Sequence, residues 1–372
     1  MAISSLESDW ALLPKDLLES ILYKVASAVD RVRFGAVCKP WGTAVKERQQ
    51  GTQIPMLLIP GKDNNDKVQS LYSITDQRIS DVNLSIPYNR RCCGSSLGWL
   101  SFVTESSFIL LFNPFKNTKI YLPRLEKIID RVNAKQYMVR KLTLSSDPAE
   151  NSDCLVVVIF GAFSDLVFMK LGDESWTYVD IGDACWFFDV LYYKGHVLAI
   201  NQRGMLVSLD VNTGQPNILA PQDLEHAYQT YLVEISNGDL LLLRRFVKSY
   251  PGYFTVHKLV LDDESGRVER VEVKNIGDNA LFVGGNYSVS ISTSNFPECE
   301  SNSIYFTDDY NCGSAYERIP DVPYDVGIYT FNLEDGSAGL HYKPISAHRS
   351  LPPPIWILPP IYVARETMFD QF

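Results

Sequence analysis

A chain of 372 residues exceeds one average domain, so one large domain with a small appendage, or two domains, is expected. Hydrophobic residues make up 46% and charged residues 21%, an ordinary globular balance that excludes long disorder. The net charge is −10 and the basic residues form nothing longer than pairs such as Arg90-Arg91 and Arg244-Arg245, which excludes a broad phosphate-binding surface and nucleic acid as a partner.

The first 50 residues carry 7 Lys/Arg against 6 Asp/Glu, so the acidity lies in the remainder. Their opening string, MAISSLESDWALLP, lacks the basic and apolar regions of a signal peptide. Leu17, Leu18, Ile21, Leu22 and Val25 then recur at helical spacing. Pro14 suits a first helical turn, where its missing N–H has no partner to lose, and Asp16 suits the positive end of the helix dipole. Asp30 is placed to cap a second segment, Arg31 to Cys38, with Phe34 and Val37 inward. Pro40 opens a third helix carrying Trp41, Ala44 and Val45. Three helices in about 40 residues make a poor independent core, and domains this small need a staple or a partner. Neither a metal nor a disulfide offers itself here, so a partner is inferred.

Residues 51–69 read as a linker, with Gln49-Gln50-Gly51 at one end and the turn-rich Pro60-Gly61-Lys62-Asp63-Asn64-Asn65-Asp66 after a short apolar stretch. From about residue 70 to 366 the chain reads as strands and tight turns, ahead of a six-residue tail, 367–372. Leu155 to Phe160 is short, apolar and β-branched, hence a buried strand. Ser236-Asn237-Gly238-Asp239 separates two apolar runs, and Asn-Gly favours a hairpin turn with both central residues at positive φ. Lys194-Gly195 and Ser265-Gly266 repeat the idea.

A looser theme recurs, in which a strand meets an Asn/Asp-containing turn and another strand answers. It appears at LYSITDQRISDVNL, LLFNPFKNTKIYLP, LVSLDVNTGQPNILAP, KLVLDDESGRVERVEV and YTFNLEDGSAGLHY, and KLGDESWTYVDIGD supplies a copy missing between the second and third. Repeats of this kind suggest blades of four short strands, six or seven in number, in a β-propeller; a β-sandwich or an irregular barrel is the alternative.

The N-terminal residues also resemble a known family. Leu13-Pro14-Lys15-Asp16-Leu17-Leu18, then Ile21-Leu22, Asp30, Arg33 and Val37-Cys38-Lys39-Pro40-Trp41, look like an F-box, departing from its pattern at Pro40 and Gly42. The later region resembles plant F-box proteins carrying the "domain of unknown function 295". The matching segments are Gly94-Ser95-Ser96-x-Gly98-Trp99-Leu100, Leu111 to Phe115, Asp189 to Gly195, Leu281 to Asn286 with Ser288, Ile304 to Asp309 and Pro353 to Trp356. The resemblance implies a receptor subunit of a Skp–cullin–F-box ubiquitin ligase. Its F-box would dock a Skp-type adaptor, and through it a cullin, while the β-domain holds an unidentified protein target. Leu13, Pro14, Leu17, Leu18, Ile21, Leu22, Val37, Cys38 and Trp41 are the expected adaptor-binding residues, with Trp41 as anchor; for Leu18, Leu22 and Val37 the competing role is holding the helices together.

Other constellations offer less. The seven Cys, at 38, 92, 93, 154, 185, 299 and 312, form no CxxC pair and read as free thiols in the cytoplasm or nucleus. The longest apolar run, Leu155 to Phe163, is about half a membrane span, so no membrane partner is expected. Asp308-Asp309, with Asp321 and Asp325, suits a strand end better than a metal site. Gly284-Gly285-Asn286 matches no phosphate-binding pattern and reads as a turn, and Ile355 to Leu358, between prolines, reads as a closing strand. No cofactor is expected, and an enzyme such as a propeller glycosidase would need two facing carboxylates. A scaffold that binds the adaptor without a cullin is the other rival.

Overall fold

The computed structural model describes residues 10, 13–24, 34, 37–48, 54–59, 69–82, 92–104, 108–114, 116–125, 139–161, 163–182, 186–223, 225–262, 266–307, 327–343 and 354–358. Two helices come first, α1 (Lys15–Lys24) and α2 (Lys39–Arg48). The Pro14 carbonyl accepts from the Leu17 and Leu18 amides at 3.0 and 3.1 Å, so the proline opens α1 as its ring geometry favours. Of the second expected segment, Phe34 is helical and buried, while Arg31 to Ala36 otherwise fall outside the described residues. Val37, expected inward, is exposed. It sits in a bend rather than a helical turn, so helical spacing from Phe34 does not set its direction.

The β-domain is a ring of six sheets. The first blade holds β1 (Met56–Ile59), β2 (Gln69–Ser73) and β3 (Arg78–Val82). The second holds β4 (Cys92–Ser96), β5 (Trp99–Val103), β6 (Ile109–Asn113) and β7 (Thr118–Tyr121). The third holds β8 (Val139–Leu144), β9 (Leu155–Phe160), β10 (Asp165–Lys170) and β11 (Thr177–Tyr178). The fourth holds β12 (Phe187–Tyr193), β13 (His196–Asn201), β14 (Leu206–Leu209) and β15 (Pro216–Ala220). The fifth holds β16 (Gln229–Glu234), β17 (Leu240–Phe246), β18 (Tyr253–Asp262) and β19 (Arg267–Glu272). The sixth holds β20 (Asn279–Val283), β21 (Ser288–Ser292), β22 (Ser303–Thr307), β23 (Ile328–Asn332) and β24 (Ala338–Tyr342). The last strand, β25 (Ile355–Ile357), pairs antiparallel with β1 and completes the first blade from the far end of the sequence.

Six blades meet the six-or-seven expectation at its lower value, and the sandwich and barrel alternatives fall. Each of the six recurrent sequence segments is the outer hairpin of one blade: β2–β3, β6–β7, β10–β11, β14–β15, β18–β19 and β23–β24. Their Asn/Asp residues fold the turns through their own side chains. Asp210 Oδ1 accepts from the Asn212 amide at 2.9 Å, Asn332 Oδ1 from Glu334 at 2.8 Å, and Asn113 Oδ1 from Lys116 at 3.0 Å. The sixth blade departs from the meander: β21 is its inner strand, and β20 pairs parallel with β22.

Two further expectations change. β1 lies inside the stretch read as linker, because Met56-Leu57-Leu58-Ile59 are the apolar residues between β2 and β25. The Asn237-Gly238 turn exists, but only Gly238 has positive φ, at 81°. Asn237 Oδ1 accepts from the Asp239 amide at 2.9 Å, and Gly238 N–H bonds Ile235 O at 2.8 Å, so a right-handed turn with one left-handed glycine forms instead. The two-residue turn with both φ positive occurs at Lys194-Gly195 (46° and 86°) and Leu97-Gly98 (53° and 79°).

The core lies between blades rather than within any one of them. Along β9, Val156, Val158 and Phe160 pack toward the second blade, while Leu155, Val157 and Ile159 pack toward the fourth. A strand covered on both faces has no polar side, hence the unbroken run LVVVIF. Six such apolar clusters, one per blade junction, close the ring. β25 closes it in three residues: Trp356 enters the junction with the sixth blade, and Ile355 and Ile357 the junction with the second.

Polar tethers pin the inner strands. Asp189 on β12 is ion-paired with Lys141 on β8, and both side chains are almost fully buried, at 1% and 7% exposure. The same carboxylate accepts from the Val190 amide at 2.7 Å and, across the next junction, from Leu232 on β16 at 2.9 Å. Burial pushes the Asp189 carboxyl above the ordinary range, against the pull of the ammonium and both amides. Gly94 on β4 admits no side chain: a Cβ there would stand 2.7 Å from both Leu142 O and Ser101 Oγ. Gly94→Ala is expected to lower stability by about 1–3 kcal/mol through overpacking, measured by urea unfolding; an unchanged midpoint would refute that contact.

Candidate adaptor-docking face and propeller pocket

Among the described residues of the helical module, Leu18, Leu22, Phe34 and Ala44 form a buried core, with Leu13 and Trp41 packed against it. The Trp41 ring lies 4.3 Å from that of Phe34, centroid to centroid, and its indole N–H donates to Trp10 O at 2.8 Å. The spacing of α1 divides its apolar residues between two directions, because neighbours along a helix turn by about 100°. Leu18 and Leu22 face inward, whereas Leu17 and Ile21, one position earlier, are 51% and 39% exposed. Val37 is 57% exposed, Pro14 is exposed, and Cys38 is half-buried.

The nine sequence-predicted residues thus divide into three groups. Pro14, Leu17, Ile21 and Val37 form uncovered apolar surface; Leu18 and Leu22 hold the helices together; Leu13, Cys38 and Trp41 sit between the two conditions. Sequence reasoning missed Trp10, which is 60% exposed and supplies the carbonyl for Trp41. A lone Trp in an acidic segment carries no pattern that would have found it.

On the propeller, the turns joining second to third strands lie at the same end as the connections that lead into each inner strand. This follows from the meander, in which the inner strand starts where the second strand stops. At that end a cavity of about 620 Å³ lies over the fourth blade. Its walls come from the β11–β12 connection (Ile181, Trp186), the β13–β14 turn (Arg203, Met205), and β15 with its continuation (Ile218, His226).

The β13–β14 turn is held from all sides. Asn201 Oδ1 accepts from the Arg203 and Met205 amides at 2.9 and 2.7 Å. Arg203 O accepts from the Asp223 amide at 2.9 Å, and Gln202 N–H bonds Trp186 O at 3.2 Å. Arg270 of the fifth blade donates to Gly204 O. Asp223 receives both Arg244, in a two-point bond at 2.7 and 3.0 Å, and Arg270 at 2.9 Å. Burial lowers the Arg270 pKa, and the Asp223 charge opposes that shift.

Trp186 adopts φ of 51°, which a bulky residue takes only when its surroundings impose it, and its ring meets Phe163 edge-on at 5.9 Å. Arg203 Nε donates to His226 Nε2 at 3.0 Å, which places the imidazole proton on Nδ1. None of these residues was singled out from the sequence, since they lie on three separate connections and share no motif.

Asp308, Asp309, Asp321 and Asp325 lie outside the described residues, as do Cys185 and Cys312. Cys38, Cys92, Cys93, Cys154 and Cys299 take part in no disulfide, and all but Cys38 are buried. Among the described residues, no group of three or more His, Cys, Asp or Glu is arranged to hold a metal, and no helix is long and apolar enough to cross a membrane.

Six blades closed by a C-terminal strand, preceded by a small helical region, define a β-propeller protein with an N-terminal helical module. The chain belongs to the KIB1-4 beta-propeller family, whose model matches residues 71–330. Among its relatives, F-box protein SKIP23 of Arabidopsis thaliana is 24% identical over 402 residues, covering 94% of this chain and 95% of its own. F-box protein At2g17036 of the same plant is 24% identical over 398 residues, with the same coverage. The resemblance to plant F-box proteins with a propeller-like domain therefore holds. Among solved structures, the β-propeller domain of Myceliophteria thermophila Cps50 (Swd1) aligns with a TM-score of 0.39 at 10% identity, over 78% of this chain and 87% of that one.

Proposed function

We propose that the chain is the substrate-recognition subunit of a Skp–cullin–F-box ubiquitin ligase, acting in the cytoplasm or nucleus. The helical module docks a Skp-type adaptor, and the propeller holds a protein target. The chain supplies no reactive group. It raises the effective concentration of a target lysine near a charged ubiquitin carrier, and the acceleration comes from proximity. The observation that carries this reading is the exposure of the apolar side chains Pro14, Leu17, Ile21 and Val37, which the module's described core of Leu18, Leu22, Phe34 and Ala44 leaves uncovered. Each large apolar side chain moved from water into an interface contributes up to about 1.5–3 kcal/mol, so a partner's helices stabilise what the module cannot bury alone.

Leu17→Asp with Ile21→Asp is expected to weaken binding to a Skp adaptor by about a hundredfold or more, read by co-purification and titration. Helical content and the unfolding of the propeller should be unchanged, because both side chains are exposed. Leu18→Asp, by contrast, should unfold the module. If the double variant binds the adaptor as the parent does, the docking face is misplaced. Reconstitution with neddylated cullin then separates a ligase receptor from an adaptor-binding scaffold.

A further inference from the structure

Receptor function requires a place on the propeller that selects targets, and the cavity over the fourth blade has the chemistry for one. Its described walls carry apolar surface, from Trp186, Met205 and Ile218, and a single ion, Arg203. No carboxylate is among them, although the chain as a whole has a net charge of −10. Asp223, whose amide bonds Arg203 O, has both carboxylate oxygens engaged by Arg244 and Arg270.

Arg203 itself is exposed. Its Nε is committed to His226, while Nη1 and Nη2 bond nothing among the described residues. The turn that bears it is fixed by the Asn201, Asp223, Trp186 and Arg270 contacts before any ligand arrives. A site already held in its binding geometry loses little conformational freedom on association.

We propose, resting on the receptor reading above, that this cavity captures an extended target segment in which a carboxylate side chain stands next to a bulky apolar one. The carboxylate pairs with the free edge of the Arg203 guanidinium. The apolar side chain packs against Trp186, Met205 and Ile218. A two-point pairing of carboxylate with guanidinium sets both charge and direction, and the aromatic wall supplies the anchoring contact.

A random nonapeptide phage library selected on the full-length chain tests this. Enriched peptides are expected to place Asp or Glu beside Leu, Ile, Phe or Trp, and their affinity should fall as salt rises. Arg203→Gln should weaken the best peptide by about tenfold to a hundredfold, the worth of a charge-assisted bond. Changing that peptide's acid to the amide should cost a similar factor in the parent and almost nothing further in Arg203→Gln. Ile218→Asp should abolish binding without altering thermal unfolding, since Ile218 is exposed. Lys119→Gln, a charge change on the second blade, should leave affinity unchanged.

No enrichment, enriched peptides without an acid, or equal binding by Arg203→Gln would each overturn the assignment. So would a phosphoserine version binding at least ten times more tightly than the Glu peptide, which would make phosphate the true ligand. Failure here leaves adaptor binding and ubiquitin transfer to be judged by the Leu17/Ile21 experiment, and failure there leaves peptide affinity untouched.

Discussion

Replacing Lys141 with Met is expected to destabilise the propeller by about 3–5 kcal/mol, because it leaves the buried Asp189 carboxylate without its counter-charge. The pair has a dry environment, with Asp189 1% exposed, and its loss strikes three blades at once: Lys141 on β8, Asp189 on β12 and, through the carboxylate, Leu232 on β16. Lys141→Met with Asp189→Asn should recover much of the loss, since an amide oxygen still accepts a backbone N–H without a buried charge. Acidity should help as well. A carboxyl whose folded pKa is raised favours the folded state below its unfolded pKa and loses that contribution as pH rises through the folded value. The deficit of Lys141→Met should therefore shrink between pH 7 and about pH 5. Urea unfolding at both pH values measures this, and a loss under about 1 kcal/mol that ignores pH would show the pair to be of little consequence.

Trp356→Ala is expected to cost about 3–5 kcal/mol, the usual range for removing a large buried aromatic. Trp356 is fully buried, its indole N–H donates to Val283 O at 3.1 Å, and its ring meets Phe282 edge-on at 5.1 Å. Its carbonyl accepts from Asn286 Nδ2 at 3.0 Å, and the Asn286 carbonyl in turn takes the Ser95 amide of the second blade at 3.2 Å. One substitution thus empties the seam where the two ends of the β-domain meet. Trp356→Phe, keeping the bulk but not the N–H, should cost less than half as much. Calorimetry would distinguish the two, and equal melting temperatures for parent and Trp356→Ala would remove β25 from its role as the closing strand.

The elements legible in the sequence were those whose chemistry is local. Asp210, Asn332 and Asn113 each fold a turn with their own side chains, so the outer hairpins were visible as a repeat although their spacing varies. The inner strands share no such marker. What fixes Gly94, Asp189 and Asn286 is a neighbour one blade away. Arg203, Trp186 and His226, brought together by folding from three connections, left no trace in the string. On the helices, the stripe from Leu17 to Leu22 was legible as apolar, but its division into an inward and an outward pair depends on where α1 packs. Asn237 shows a finer limit: its side chain bonds Asp239, and that bond, rather than the dipeptide, decides the turn.

The first blade takes its innermost strand from the other end of the β-domain, with Met56 paired to Ile357. Bringing together partners about 300 positions apart is entropically slow compared with folding a local hairpin. During translation the N-terminal helices leave the ribosome long before Trp356 is even polymerised. A chain that stops short of Ile355 therefore leaves β1 unpaired along one edge, open to aggregation.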